Sequence, residues 1–375
     1  MFHFKLSQEE SDHLEHYTIK TRDCSYVNNY INIPYLFNPT NKVIPKNIVP
    51  NFITLSGNVM PLLAFLTMTL LYPDYSKPLS PLMNLFIAFS IAWFWVADSV
   101  DGIRARSSGI CSPIGDWLDH SLDNVTYFCF TAFIDHIFLC NSVAKEIMII
   151  MFMVYTSYCV QIQAVYTNAI HLGQVNASCE GIMAFIGLVI FDIFVPMRDF
   201  SLFGIPAFDL VVPCLAGLLV IHTVVMVTGI KQNFPGNKDF VVESIILLFN
   251  CCVSLILGAT FFYVFCKEQT LVNYIVTNLW IYACSLTYID MVIQCRLFGR
   301  KKPSLFDLKH IIAVVIPFIC IPFCTYTTAI VIGAFAAQVI MWTDWVATLL
   351  SMLDGLKLKL FQTEPTRFAP KKNTS

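Results

Sequence analysis

The chain contains repeated runs of about 20 mostly apolar residues, the length a helix needs to cross a bilayer, and that feature leaves few folds open. The runs lie near Ile53–Tyr72, Pro81–Ala97, Leu122–Cys140, Ile147–Val165, Gly181–Met197, Leu210–Thr228, Val241–Phe265, Leu271–Val292, His310–Thr325 and Thr327–Leu349. They predict an all-α fold, a polytopic transmembrane helix bundle of about ten spans. Composition agrees: 57% of residues are hydrophobic and 13% charged, against roughly 25% charged in soluble domains. So few charges cannot clothe a water-facing surface of this size. Pro317 and Pro322 predict a kink in the ninth span.

Residues 1–50 are polar with scattered Tyr and Phe, and read as a cytosolic, interfacial N-terminal segment. Residues 51–355 form the transmembrane domain, and residues 356–375 a polar cytosolic tail. With the N-terminus in the cytosol, that side collects Lys42, Lys46, Arg104, Arg106, Lys231, Lys238 and the cluster Arg296, Arg300, Lys301 and Lys302. The other side keeps isolated charges such as Lys77, Lys145, Arg198 and Lys267, as the positive-inside rule requires. The basic cluster reads as a topology signal touching anionic lipid. A net charge of -2 gives no reason to expect nucleic-acid binding. The cysteines lie mostly inside apolar runs, as Cys251, Cys252, Cys320 and Cys324 do. They show no zinc-finger spacing and read as small buried hydrophobes. The N-terminus lacks the charged flank, apolar core and cleavage site of a signal peptide.

The chemistry concentrates between the second and third runs. The segment Asp98 to Asp123 reads Asp-x2-Asp-Gly-x2-Ala-Arg-x8-Gly-x3-Asp-x3-Asp. Gly109 can end one helix, and Ser112 can cap the next with Pro113 at its first position. At about 100° per residue, Asp98, Asp101, Gly102 and Ala105 share a face. Arg106 sits beside that face, while Ile103 and Arg104 fall away from it. On the following helix Gly115, Asp119 and Asp123 share a face, with Asp116 and His120 flanking. Two adjacent antiparallel helices would then point four carboxylates into one space. Crowded carboxylates repel one another in partly dry surroundings. Divalent cations relieve that conflict, oxygen-only ligation favouring Mg²⁺, Mn²⁺ or Ca²⁺ over zinc, and two such ions can clamp both oxygens of a phosphoryl transfer. Gly102, Ala105 and Gly115 leave room for a pyrophosphate, and Arg106 offers a bidentate fork. Read singly, each Asp is as well explained as an interfacial acid at a helix end. The set with its fixed spacing is not.

This spacing resembles the signature of the class I CDP-alcohol phosphotransferase family at every motif position: Asp98, Asp101, Gly102, Ala105, Arg106, Gly115, Asp119 and Asp123. The wider chain resembles the eukaryotic choline/ethanolamine phosphotransferase branch through Pro50-Asn51-Phe52-Ile53-Thr54, Ser112-Pro113, Asp119-His120 and Glu180-Gly181. It departs from that branch at Ile103-Arg104, where Lys-Gln is usual, and at Ser121, where Gly is usual. The resemblance implies transfer of phosphoethanolamine or phosphocholine from CDP-ethanolamine or CDP-choline to diacylglycerol, with release of CMP. It further implies two Mg²⁺ or Mn²⁺ ions on the four aspartates and an endoplasmic reticulum or Golgi membrane with the site facing the cytosol. A homodimer through spanning helices is compatible with it. His120 and Asp123 are both candidates for the base that deprotonates the lipid hydroxyl. Glu180 is a candidate supporting acid. Asn51 and Thr54 read either as cytidine-pocket residues or as a helix N-terminal cap.

Other readings stay open at this point. The acceptor could be inositol, phosphatidylglycerol or ceramide, or the chain could be a cation-binding transporter. A transporter predicts repeats and acids on several mid-membrane helices, whereas these acids bunch around one helix–turn–helix. Asp135-His136, Asp192 and Asp290 read as groups near span ends that reach the interface. Trp93, Phe94 and Trp95 read as an aromatic belt or a cage for a quaternary ammonium.

Overall fold

A computed structural model describes residues 6–18, 20–73, 77–138, 143–173, 177–233, 238–260, 271–300, 303–304 and 307–368. The N-terminal segment holds α1 (Gln8–Glu15), β1 (Lys20–Asp23), a π-helical stretch Asn28–Phe37 and α2 (Asn38–Val43). The bundle follows as α3 (Pro50–Leu71), α4 (Pro81–Ser108), α5 (Pro113–Phe138), α6 (Val143–Thr167), β2 (Ala169–Leu172), a π-helical turn Ala177–Gly181, and α7 (Ile182–Asp192). A small hairpin, β3 (Ser201–Leu202) and β4 (Ile205–Pro206), precedes α8 (Ala207–Asn233), α9 (Lys238–Thr260), α10 (Leu271–Leu297), α11 (Leu308–Cys320) and α12 (Tyr326–Leu356).

The helices α3 to α12 match the ten apolar runs one for one, so the fold is the expected all-α polytopic bundle. Among the described residues five of them, α3, α4, α8, α10 and α12, are both long and apolar enough to cross a membrane. Their depths differ: the most apolar window of α10 is 83% buried and that of α8 only 6%. Helix α10 is therefore the interior post of the bundle, and α8 turns most of its surface outward. Helix α11 continues through Pro317 and stops before Pro322.

Helix α3 packs along both α4 and α5. Gly57 permits this, because a Cβ there would come within 2.8 Å of the Ala97 Cβ on α4. Helices α4 and α5 do not lie side by side along their length, contrary to the simple hairpin expected. They meet through large side chains such as Phe94 and Phe130, whose rings lie 5.4 Å apart. Trp95 packs edge-on against Phe37 at 5.3 Å. Phe94 and Trp95 are therefore core residues, not an exposed belt or cage.

The polar residues assigned to the interface are also inside. Asp192 is buried and accepts hydrogen bonds from Asn84 Nδ2 (2.9 Å) and the Met197 N–H (2.7 Å). Asp290 on α10 is buried and accepts from Trp117 Nε1 and Ser121 Oγ on α5 (2.9 Å each) and from Gln294 Nε2 (2.7 Å). Asp135 and His136 are buried as well. Hydrogen-bond donors inside the bundle make burial affordable for these groups.

The N-terminal segment is integrated rather than peripheral. Strand β1 pairs in parallel with β2, Lys20 opposite Ala169. Leu14 and Phe37 are fully buried. The two described arginines of the basic cluster make contacts inside the protein rather than with lipid. Arg296 is buried against Asp116, and Arg300 pairs with Glu10 at 2.8 Å. Lys301 and Lys302 lie outside the described residues. The tail is fastened too: the Thr366 N–H donates to the Gly109 carbonyl at 2.8 Å, its hydroxyl donates to the Cys111 carbonyl, and Arg367 pairs with Glu15.

Burial pushes the Glu10 carboxyl up, but hydrogen bonds from Ser7 and Arg300 outweigh it and hold Glu10 below its usual range. A depressed carboxylate stabilises the fold above its unfolded pKa and loses that contribution as pH falls through the folded value. Glu10→Gln is therefore expected to speed hydrogen exchange across Gln8–Glu15 at neutral pH. Wild type should approach the variant's rate in matched acid samples; identical rates at neutral pH would refute the clamp.

Candidate active site

The site begins with the punctuation between α4 and α5. Gly109 closes α4 in the left-handed region at φ 73°, where a side chain is strained. The Gly109 and Ile110 N–H groups both turn back to the Ala105 carbonyl, the latter at 2.9 Å. Ser112 then starts α5, its Oγ accepting from the Gly115 N–H at 3.0 Å. This turn sets the phase of the acids on both helices.

Asp98, Asp119 and Asp123 each offer an oxygen within 4.8 Å of those of the other two. Asp101 stands apart from this trio. It is buried beside Asp98 and Asp119, and the Thr54 hydroxyl donates to its Oδ2. Thr54 thus does not cap α3, where Val49 holds the cap position; it lines the cavity and its hydroxyl orients a carboxylate.

The donor set fits hard divalent cations. The ligand atoms are all oxygens. The Oδ1 atoms of Asp119 and Asp123 are sealed from solvent with no hydrogen-bond partner among the described residues. Buried lone pairs of that kind are costly unless a cation or donor meets them.

His120 Nδ1 lies 2.7 Å from the Asp116 carbonyl oxygen. A carbonyl only accepts, so Nδ1 carries the proton and Nε2 of the neutral ring keeps its lone pair. The nearest carboxylate oxygens, on Asp116 and Asp119, are 3.6 and 3.9 Å from Nδ1, too long to be hydrogen bonds. Asp116 itself is taken: Arg296 binds its Oδ2 at 2.7 Å and the Tyr17 hydroxyl donates to the same oxygen at 2.9 Å. Asn124 Nδ2 donates to the His120 carbonyl at 2.7 Å, and Ser157 Oγ on α6 donates to Asn124 Oδ1 at 3.1 Å. Sequence reading missed Tyr17, Arg296, Asn124 and Ser157. Their only signal was polarity inside or beside apolar runs.

One cavity of about 930 Å³ gathers the remaining candidates. All four aspartates and His120 line it, and so do Gly102, Ala105, Arg106, Gly115, Asn51 and Glu180. Arg106 is exposed and folds over Gly102, where a Cβ would sit 3.1 Å from its guanidinium. Asn51 packs on Gly115 and donates to the Leu360 carbonyl at 2.6 Å. Glu180 accepts from Ser25 Oγ at 2.6 Å. Arg104, which falls away from the acids as expected, reaches the Ile48, Ile44 and Pro45 carbonyls and so ties the N-terminal segment to α4. Beyond the acids the cavity turns apolar, walled by Phe130, Ile134, Met153, Leu188, Phe208 and Leu215.

Residues 47–230 match the family model described as CDP-alcohol phosphatidyltransferase. The chain is 27% identical over 189 residues to an uncharacterised CDP-alcohol phosphatidyltransferase class-I family protein of Schizosaccharomyces pombe, covering 49% of this chain and 48% of that protein. It is 29% identical over 146 residues to ethanolaminephosphotransferase 1 of Pongo abelii, 36% of this chain and 35% of the relative. It is 28% identical over 123 residues to cholinephosphotransferase 1 of Saccharomyces cerevisiae, 32% and 31% respectively. The matches thus span half or less of each relative's length.

Mn²⁺ titrated into the purified chain and followed by electron paramagnetic resonance should bind, and Asp98→Asn, Asp119→Asn and Asp123→Asn should each weaken binding about tenfold or more. Thr54→Val should weaken it less, since it only releases Asp101. Unchanged affinity in all three aspartate variants would remove the metal assignment. With every signature position present on one cavity wall and the model match covering the whole motif, the chain belongs, through residues 47–230, to the CDP-alcohol phosphatidyltransferase family.

Proposed function

We propose that the chain transfers phosphoethanolamine or phosphocholine from CDP-ethanolamine or CDP-choline to diacylglycerol, releasing CMP and leaving a phosphodiester lipid. The observation that carries this reading is the two-natured cavity: acids and Arg106 at one end, an apolar chamber at the other. A water-soluble pyrophosphate and a two-chain lipid need such a space to meet. The relatives named for ethanolamine and choline transfer support the donor class, and the charge asymmetry of the loops supports a site on the cytosolic side of the membrane.

Asp98, Asp119 and Asp123, with Asp101 alongside, are the residues to hold Mg²⁺ or Mn²⁺. When bound, the ions supply charge neutralisation for the pyrophosphate. Arg106 binds phosphate oxygens through its fork. Gly102, Ala105 and Gly115 let the nucleotide approach the helix backbones, with Asn51 beside it.

The lipid enters with its chains in the apolar chamber and its hydroxyl toward His120. His120 Nε2, whose lone pair is kept free by the Nδ1–Asp116 hydrogen bond, takes the hydroxyl proton as the new O–P bond forms. The P–O bond to CMP breaks, and CMP leaves with that electron pair. Asp123 is the alternative base; its place in the metal trio makes His120 the better one. The neutralised Asp116 serves to position His120, not to accept its proton.

The direct test is CMP release by purified protein given Mg²⁺, diacylglycerol and either CDP-alcohol. His120→Ala should lower kcat by about 10²–10⁴-fold while CDP-alcohol binding persists. Turnover equal to wild type would pass the role of base to Asp123, and no CMP release by wild type with either donor would end the proposal.

A further inference from the structure

Gln161 on α6 lines the same cavity although it is only 4% exposed. Its carboxamide makes no hydrogen bond to any described residue, and its Oε1 is sealed from solvent. Leaving such a group unpaired costs about 1–3 kcal/mol. Neither end of the amide has a partner among the described residues, so turning χ3 to aim the oxygen at the cavity loses no bond seen there.

The position of Gln161 along the bundle can be read from its neighbour. Only four residues join α5 to α6, too few to reach back along a helix of this length, so the two run antiparallel. Ser157 bonds Asn124. One turn onward on α6, from Ser157 to Gln161, is one turn backward on α5, from Asn124 to His120. The cavity face of α6 reads Ile149, Met153, Ser157, Gln161 in steps of four, apolar at the lipid end and polar at the level of His120.

The donor's shape says what arrives there. In the reaction proposed above its nucleotide end lies at the start of α3 and α5, by Asn51 and Gly115, with Arg106 on the phosphates. The alcohol on the reacting phosphorus therefore projects away from those residues, toward α6. Glu180, another acceptor, lines the cavity as well, which suits a cation.

We propose that Gln161 Oε1 accepts a hydrogen bond from an N–H of the donor's ammonium group, and that this chain therefore prefers a primary-ammonium alcohol to a trimethylammonium one. A quaternary ammonium has no N–H and leaves the amide oxygen unpaired. A site built to bond an N–H discriminates strongly against an analogue that lacks it. The inference rests on the reaction proposed above.

The test compares kcat/KM for CDP-ethanolamine and CDP-choline in wild type, Gln161→Leu and Gln161→Glu, each purified in full. Wild type should favour CDP-ethanolamine by about tenfold or more. Gln161→Leu should collapse that ratio, and Gln161→Glu, which keeps an acceptor, should retain it. The ratio is taken within one preparation, so a partly unfolded variant does not distort it. A ratio unchanged by Gln161→Leu overturns the inference alone. So does a rise confined to the KM for diacylglycerol, which would assign Gln161 to the lipid hydroxyl. Absence of turnover with both donors in wild type overturns the proposed reaction and this inference together.

Discussion

Like charges packed into a partly dry space repel, and this bundle places three carboxylates whose oxygens lie within 4.8 Å of one another at the meeting point of α4 and α5. That arrangement is unfavourable without cations, so the rest of the structure has to hold it in place. The left-handed turn at Gly109 and the Ser112 cap set the phase of the two helices. Thr54 on α3 fixes Asp101 from the side. The acids thus face one another because three helices are locked together close to them.

Helix α5 is braced from behind as well. Trp117 and Ser121 both donate to Asp290 on the buried α10, on the side of α5 opposite the cavity. Ser121, which departs from the usual glycine, therefore has a partner that accounts for it. Next to Trp117, Arg296 neutralises Asp116, and the Asp116 carbonyl sets the tautomer of His120. Two polar contacts from α10 thus govern the orientation of the helix that carries His120, Asp119 and Asp123.

The acid motif was legible in the sequence because everything it needs is local. Helical periodicity places Asp98 with Asp101 and Asp119 with Asp123, and Gly109, Ser112 and Pro113 mark where one helix stops and the next starts. The partners were not legible, because they come from far away. Arg296 reaches Asp116 across 180 positions, and in the sequence it stands in a basic cluster that looks like a topology signal. Asp290 and Asp192 read as interfacial because hydropathy reports the average of a run and not which face of a helix carries a donor opposite. Gln161 gave no signal in a single sequence; only a cavity with an unpaired amide on its wall singles it out. The parallel pairing of β1 with β2 was hidden for the same reason, since neither strand can be judged without the other.

The rim of the cavity is finished by residues far apart in order of synthesis. Asn51 binds the Leu360 carbonyl, and Thr366 ties to Gly109 and Cys111. A nascent chain reaches the acid motif early and its tail segment hundreds of codons later. The apolar helices can therefore settle into the bilayer while the mouth above the acids is still open. Competence of the pocket then becomes a late event in biogenesis, separated in time from membrane insertion.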